Sequence, residues 1–173
     1  MSADMMKSGV HFTSKTDDWA TPQYVVDFAA RRFGLLVGNH GGFDLDVCAS
    51  DSNHKAPEYY TANDDGLQQA WSGNVWLNPP YGRVIGDWVN KAVESVNEDE
   101  EEEGGCESVT LLIPARTETR WFFDLISQGA EVIFIKGRLK FGGGSSSAPF
   151  PSALVHLKQT GSFDVKTTYE VVE

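Results

Sequence analysis

The 173-residue chain is 40% hydrophobic and 23% charged, enough apolar matter for one folded domain and too short for two ordinary ones. Its 14 basic residues stand against 25 acidic ones, a net charge of −11, which excludes a generally basic DNA-coating protein but not an enzyme with one basic face. Two cysteines exclude a disulfide framework or a Cys-rich zinc site, the start MSADMMKSGV lacks the apolar core of a signal peptide, and no stretch has the length of a membrane span. The expectation is a cytoplasmic protein that does not engage a membrane.

Residues 1–18 are polar and mixed, and are expected to form a flexible arm ahead of one domain over 19–173. In WATP (19–22), Thr21 can cap a helix and Pro22 suits its first position. Tyr24, Val25, Phe28 and Ala29 then recur at helical spacing, and Gly34 is placed to end the helix. GGFDLDVCAS (41–50) reads as a short strand running into a polar loop, 51–65 as loop, and 66–71 as a helical turn. NVWL (74–77) is an apolar run of strand length, stopped by Pro79 and Pro80. Val84, Ile85, Trp88, Val89, Ala92, Val93 and Val96 mark an amphipathic helix.

Residues 98–103 read EDEEEE, and together with residues 104–107 they make an expected acidic, solvated loop over 98–107. Without that run the balance is 14 basic against 19 acidic residues, or −5. SVTLLIP (108–114) predicts a strand, Trp121, Phe122, Leu125 and Ile126 a helix, and AEVIFI (130–135) a further strand. Residues 141–150 are flexible by composition, and SALVHL (152–157) and TTYEVV (167–172) finish as strands. Alternating strands and helices predict an α/β domain with a mostly parallel sheet flanked by helices. In such sheets ligands bind beyond the carboxyl ends of strands. Asp46–Ser50, Asn78–Tyr81 and Pro114–Arg116 all come directly after strand candidates and should converge on one edge.

Asn78-Pro79-Pro80-Tyr81 carries the most chemistry. The prolines stiffen the turn and bring no N–H groups, so its carbonyls are acceptors without donors beside them. With the Asn78 amide oxygen they suit a planar ligand bearing an NH2 group, on whose ring Tyr81 can stack. An adenine amine is a poor nucleophile because its lone pair is conjugated into the ring. Two acceptors that draw it toward tetrahedral geometry restore that density and stabilise the charge that develops on alkylation. The plainer reading is a strand-to-helix stop with Tyr81 covering the helix.

WATPQYVVDF (19–28), FDLDVCAS (43–50), DDGL (64–67), WSGNVWLNPPYG (71–82), LLIPARTETRWFF (111–123), GRLKF (137–141) and APFPSALVHL (148–157) together resemble the small phage-type, Dam-like DNA N6-adenine methyltransferases. The likeness implies a Rossmann-like class I methyltransferase domain. It implies a site-specific, adenine-specific DNA-methyltransferase that moves a methyl group from S-adenosylmethionine to a flipped-out adenine, with no metal. By position, Asn78, Pro79, Pro80 and Tyr81 match the catalytic motif, and Asn78 also counts among the expected cofactor-binding positions. Asp46 matches the acid near the cofactor's methionine part. Thr21 and Pro22 match the segment that closes over the cofactor, and Asp65 an acid that contacts its adenine, with Asp64 the alternative. The glycine-rich FxGxG loop of many such enzymes is absent, and Asp46-Val47-Cys48-Ala49-Ser50 stands in its place, putting Cys48 and Ala49 beside the cofactor. No large target-recognition domain is expected within these residues, beyond what 98–107 and 141–150 could hold. The resemblance also implies a phage source and restriction-modification as one possible purpose. The motif alone would equally grip an RNA adenine or a protein glutamine, and a non-catalytic module that binds S-adenosylmethionine or DNA is the third reading.

Asp44 and Asp46 lie two apart and share a side on a strand. Cys48 has no His pairing pattern and reads as a buried small residue. His11, His40, His54 and His156 are too scattered to ligate a metal. Arg116 and Arg120 either meet DNA phosphates or pair with Glu118 and other acids. Residues 132–163 hold no acid, and Lys136, Arg138 and Lys140 alternate there, sharing a face if the strand continues. They are the leading DNA-backbone candidates. The chain is expected as monomer or homodimer.

Overall fold

Apolar residues alternate between two cores along the central strands. Val75 and Leu77 enter one core and Trp76 the other; Leu111 and Ile113 oppose Leu112, and Val155 and Leu157 oppose Leu154. This period of two is what a sheet covered on both faces requires. The computed structural model describes residues 20–35, 42–97, 104–143, 147–158 and 166–170. Its elements are α1 (Gln23–Arg32), β1 (Leu45–Asp46), β2 (Glu58–Tyr59), β3 (Gly73–Leu77), α2 (Ile85–Asn97), β4 (Cys106–Pro114), α3 (Arg120–Ser127), β5 (Glu131–Ile135), β6 (Ser152–Lys158) and β7 (Lys166–Glu170). Helices α2 and α3 cover one face and α1 the other. The expected 1–18 arm, the EDEEEE run, His11 and His40 lie outside the described residues.

The strands form one seven-stranded sheet in the order β2-β1-β3-β4-β6-β5-β7. The sheet is mixed: β6 runs antiparallel to both β4 and β5, while the other pairs are parallel. The carboxyl ends of β1, β3, β4 and β5 therefore lie on one edge, together with the start of β6. Strand β1 leads to its neighbour β2 on one side, and β3 leads through α2 to β4 on the other, so the connections leave the paired strands β1 and β3 in opposite directions, the arrangement that opens a crevice at that edge.

Several local expectations change. Within 66–71 only residues 66–68 form a turn and no helix forms, and β2 pairs with β1 inside the stretch read as loop. Helix α1 has Pro22 at its N-cap with no side-chain cap, so Thr21 does not cap it. Its other end behaves as expected: Gly34, at φ 74°, donates its N–H to Arg31, and Leu35 donates to Ala30, a Schellman closure. Strand β5 stops at Ile135 and Gly137 comes next but one at φ 83°, so Lys136, Arg138 and Lys140 do not share a strand face. Part of the stretch expected to be flexible is pinned. Phe141 and Ala148 are buried, Gly142 donates its N–H to the Ala20 carbonyl at 2.9 Å, and Ala148 donates to Leu139 at 2.7 Å.

On the α1 side, His156 lies buried with Nδ1 2.8 Å from Thr110 Oγ1 and its ring stacked 4.3 Å from Phe33. Burial, helped by the charges of Lys158 and Arg32, lowers its pKa to about 4. A base whose folded pKa falls below its usual 6.5 contributes stability that is full above pH 6.5 and lost as pH drops through 4. Denaturant melts should show His156 removing roughly 3 kcal/mol between pH 7 and pH 4. His156→Gln should flatten that slope, and an unchanged slope would contradict this account.

Candidate active site

Two loops flank the crevice. Asp46 ends β1 and pairs in register with Trp76, so Asn78, directly after the neighbouring strand β3, lies just beyond it. Leu45 belongs to the α2–α3 core and Trp76 to the α1 core, so alternation puts Asp46 and Asn78 on the α1 side. Asn78 is gripped at both ends of its amide. Its Nδ2 donates to Thr21 Oγ1 at 3.1 Å, and its Oδ1 accepts from the Tyr81 hydroxyl at 3.0 Å. Pro79 is buried, Pro80 is exposed, and among the described residues no donor reaches the Pro79 carbonyl. A carbonyl oxygen has two acceptor positions, so the Tyr81 hydrogen bond does not by itself close Oδ1 to a second donor.

Tyr81 is held in place. Burial pushes its hydroxyl pKa up, and its ring meets Phe150 edge-on at 5.2 Å and 86°. Phe150 was missed as a site residue because glycines and serines dominate its segment. The visible signal was an aromatic flanked by two prolines in an otherwise polar stretch.

Asp46 is only 3% exposed. Its two oxygens accept the backbone N–H groups of Cys48, at 3.2 Å, and Lys55, at 2.9 Å. Burial nevertheless raises its pKa to about 6, against the opposing pull of those donors and of Lys55 and His54. Asp44 does not join it. Asp44 accepts the Asn74 backbone N–H at 2.7 Å, at the start of β3, and its carboxylate crowds Gly73, whose φ of 64° already disfavours a side chain. Cys48 contributes its N–H, while its thiol packs against the α2–α3 core with a pKa raised by burial and by the Asp46 charge. The Ala49 N–H donates to the Tyr60 carbonyl.

The DDGL turn closes on the same loop. A Cβ at Gly66 would lie 2.4 Å from the Val47 carbonyl, so only glycine fits there. Asp64 is occupied, accepting from both the backbone and hydroxyl of Thr61 at 2.7 Å. Asp65 sits at φ 54° with its exposed carboxylate making no hydrogen bond to a described residue. Positive φ at a residue other than glycine is uncommon and concentrates at functional turns.

The basic residues divide into two groups. Arg116 pairs with Glu118 at 2.8 Å and Arg120 approaches Asp124 at 4.0 Å, all on the surface, where such pairs hold weakly. Lys136, Arg138 and Lys140 are exposed just past the carboxyl end of β5, on the edge that carries Asn78. Arg138 also donates to the Ala148 carbonyl at 3.4 Å. Among the described residues no three His, Cys, Asp or Glu side chains group to hold a metal, and no helix is long and apolar enough to cross a membrane.

The model of the DNA N-6-adenine-methyltransferase (Dam) family matches residues 9–158. The chain belongs to the Dam family. Among similar proteins, a DNA N-6-adenine-methyltransferase of Escherichia phage T1 is 33% identical over 125 residues, covering 71% of this chain and 46% of the relative. One of the same name from Haemophilus phage HP1 is 29% identical over 132 residues, covering 76% of this chain and 68% of the relative. The Dam-family chain thus spans about half the length of the phage T1 protein. Thr21, Asp46, Asp65, Asn78, Tyr81 and Phe150 all fall inside the family match.

Proposed function

We propose that this Dam-family chain transfers a methyl group from S-adenosylmethionine to the N6 amine of adenine in DNA. The observation that carries this reading is the Asn78–Pro79 acceptor pair, set in a stiff turn at the sheet's crevice beside the buried Asp46 carboxylate. The names of the two phage relatives support the same reaction.

The donor set suits the cofactor. Asp46 offers a carboxylate to a cationic methionine part, and Asp65 offers to hydroxyl or amine donors an exposed carboxylate that makes no hydrogen bond to a described residue. Thr21, Pro22, Cys48 and Ala49 are the further positions we assign to the cofactor. When bound, S-adenosylmethionine supplies a methyl group made electrophilic by its sulfonium. Asn78 Oδ1 and the Pro79 carbonyl accept the two amine hydrogens, aim the nitrogen lone pair, and stabilise the positive charge that grows on it. The Tyr81 ring, with Phe150 beside it, makes an aromatic wall for a planar base. A base paired inside a duplex cannot reach this turn, so the adenine must be extruded. The helices on both faces, with six strands opposed by β6 alone, are consistent with a Rossmann-like class I frame.

DNA is held by its backbone at the same edge, with Lys136, Arg138 and Lys140 as the leading phosphate contacts and Arg116 and Arg120 flanking them. The Lys136→Ala/Lys140→Ala pair should weaken DNA binding and make the slope of log K against log salt shallower by about 2. An unchanged slope would remove these lysines from the interface. Expression in bacteria without adenine methylation should leave N6-methyladenine in their DNA, read by mass analysis of nucleosides. Its absence with soluble protein present would contradict the proposed reaction.

A further inference from the structure

We propose that Thr21 is a positioning residue for Asn78, an inference that rests on the methyl-transfer reading above. A side-chain amide is nearly symmetric in shape, and turning it over exchanges its oxygen and its nitrogen. Only one orientation presents an acceptor to an incoming amine; the other presents N–H groups to N–H groups. Asn78 is fixed in the useful orientation by two hydroxyls, Thr21 Oγ1 accepting from Nδ2 and Tyr81 donating to Oδ1. The two hydroxyls are chemically unequal. A phenol donates strongly and accepts weakly, because its oxygen is conjugated with the ring, whereas an aliphatic hydroxyl oxygen is the better acceptor. The pair therefore selects between the two orientations, where two like hydroxyls would not.

The placement of Thr21 supports this. The residue precedes α1 yet leaves its N-cap to Pro22, and its hydroxyl instead reaches a residue 57 positions away. It is 3% exposed. Its backbone is tied down on both sides, by the Val25 N–H on the Pro22 carbonyl and by the Gly142 N–H on the Ala20 carbonyl. A hydroxyl so buried and so anchored holds its partner with little freedom.

Thr21→Val keeps the shape and removes the hydroxyl; Thr21→Ser keeps the hydroxyl and removes the methyl group. In the full-length protein, Thr21→Val should lower kcat about tenfold, with S-adenosylmethionine binding by calorimetry close to wild type, and Thr21→Ser should restore most of the loss. A normal kcat with weakened cofactor binding in Thr21→Val would make Thr21 a cofactor contact and overturn the proposal. Equal losses in Val and Ser would assign the effect to packing and overturn it too. The hydrogen bond is also read without catalysis. The Asn78 side-chain NH2 signals in 15N-labelled protein, assigned by their loss in Asn78→Asp, should shift in Thr21→Val and return in Thr21→Ser. Signals unmoved by Thr21→Val would refute the contact. A wild type with those shifts but no methyl transfer would sink the functional reading instead.

Discussion

Asn78→Ala will lower methyl transfer about 1,000-fold while S-adenosylmethionine still binds. The substitution removes the amide acceptor of the turn and keeps its two prolines. The Pro79 carbonyl alone can hold only one amine hydrogen, so the lone pair is no longer aimed and the developing charge loses its nearer partner. Binding survives because Asp46 and Asp65 stand on the neighbouring loops, and the Asp46 acceptors are satisfied by Cys48 and Lys55 rather than by Asn78. Truncation also releases Thr21 Oγ1 and the Tyr81 hydroxyl. For that reason Asn78→Asp is the companion variant: it keeps an acceptor for the Tyr81 hydroxyl but gives up the Nδ2 donor to Thr21. Single-turnover rates with calorimetric cofactor binding separate the steps. Full activity in Asn78→Ala would remove Asn78 from the mechanism.

Asp46→Asn will weaken S-adenosylmethionine binding at pH 7.5 by more than about tenfold and flatten its pH dependence. Burial raises the Asp46 pKa from the usual 3.8 to about 6. An acid with a raised folded pKa contributes stability that is full below pH 3.8 and lost as pH rises through 6, so ionised Asp46 costs the ligand-free protein roughly 3 kcal/mol. A cation placed against it relieves that cost and draws the proton off. Cofactor affinity should therefore rise from about pH 5 to about pH 7 in the wild type, with proton release on binding near pH 5.5. In Asp46→Asn the charge is absent at every pH and the rise disappears. A variant that binds as the wild type does, with the same pH profile, would exclude Asp46 as the counter-charge.

The three helices and most strands were legible because each shows its face in one sequence period. Val84–Val96 repeats at 3.6 residues, and the runs in β4 and β6 are too short and too apolar for surface segments. The convergence of the Asp46 and Asn78 loops was expected from parallel neighbours, and β1 and β3 are parallel neighbours. The direction of β6 was not legible, since a continuous apolar run reads the same either way. Strand β2 was hidden because two residues carry no period. Thr21 read as a cap because Thr-Pro before a helix has that local meaning, whereas its partner lies across the sheet edge. Asp44 and Asp46 looked equivalent by spacing. Backbone donors separate them, those of Cys48 and Lys55 holding Asp46 and that of Asn74 holding Asp44. The 141–150 stretch looked mobile by composition, but Phe141, Ala148 and Phe150 pack from within it.

The most direct test supplies radiolabelled S-adenosylmethionine to purified protein with unmethylated DNA, RNA and mixed protein in parallel, then resolves the labelled product. Label is expected in DNA alone, recovered as N6-methyladenine and absent with Asn78→Ala. Label in RNA or on glutamine would keep the acceptor turn but contradict the substrate. No label anywhere, with S-adenosylmethionine measurably bound, would contradict catalysis itself.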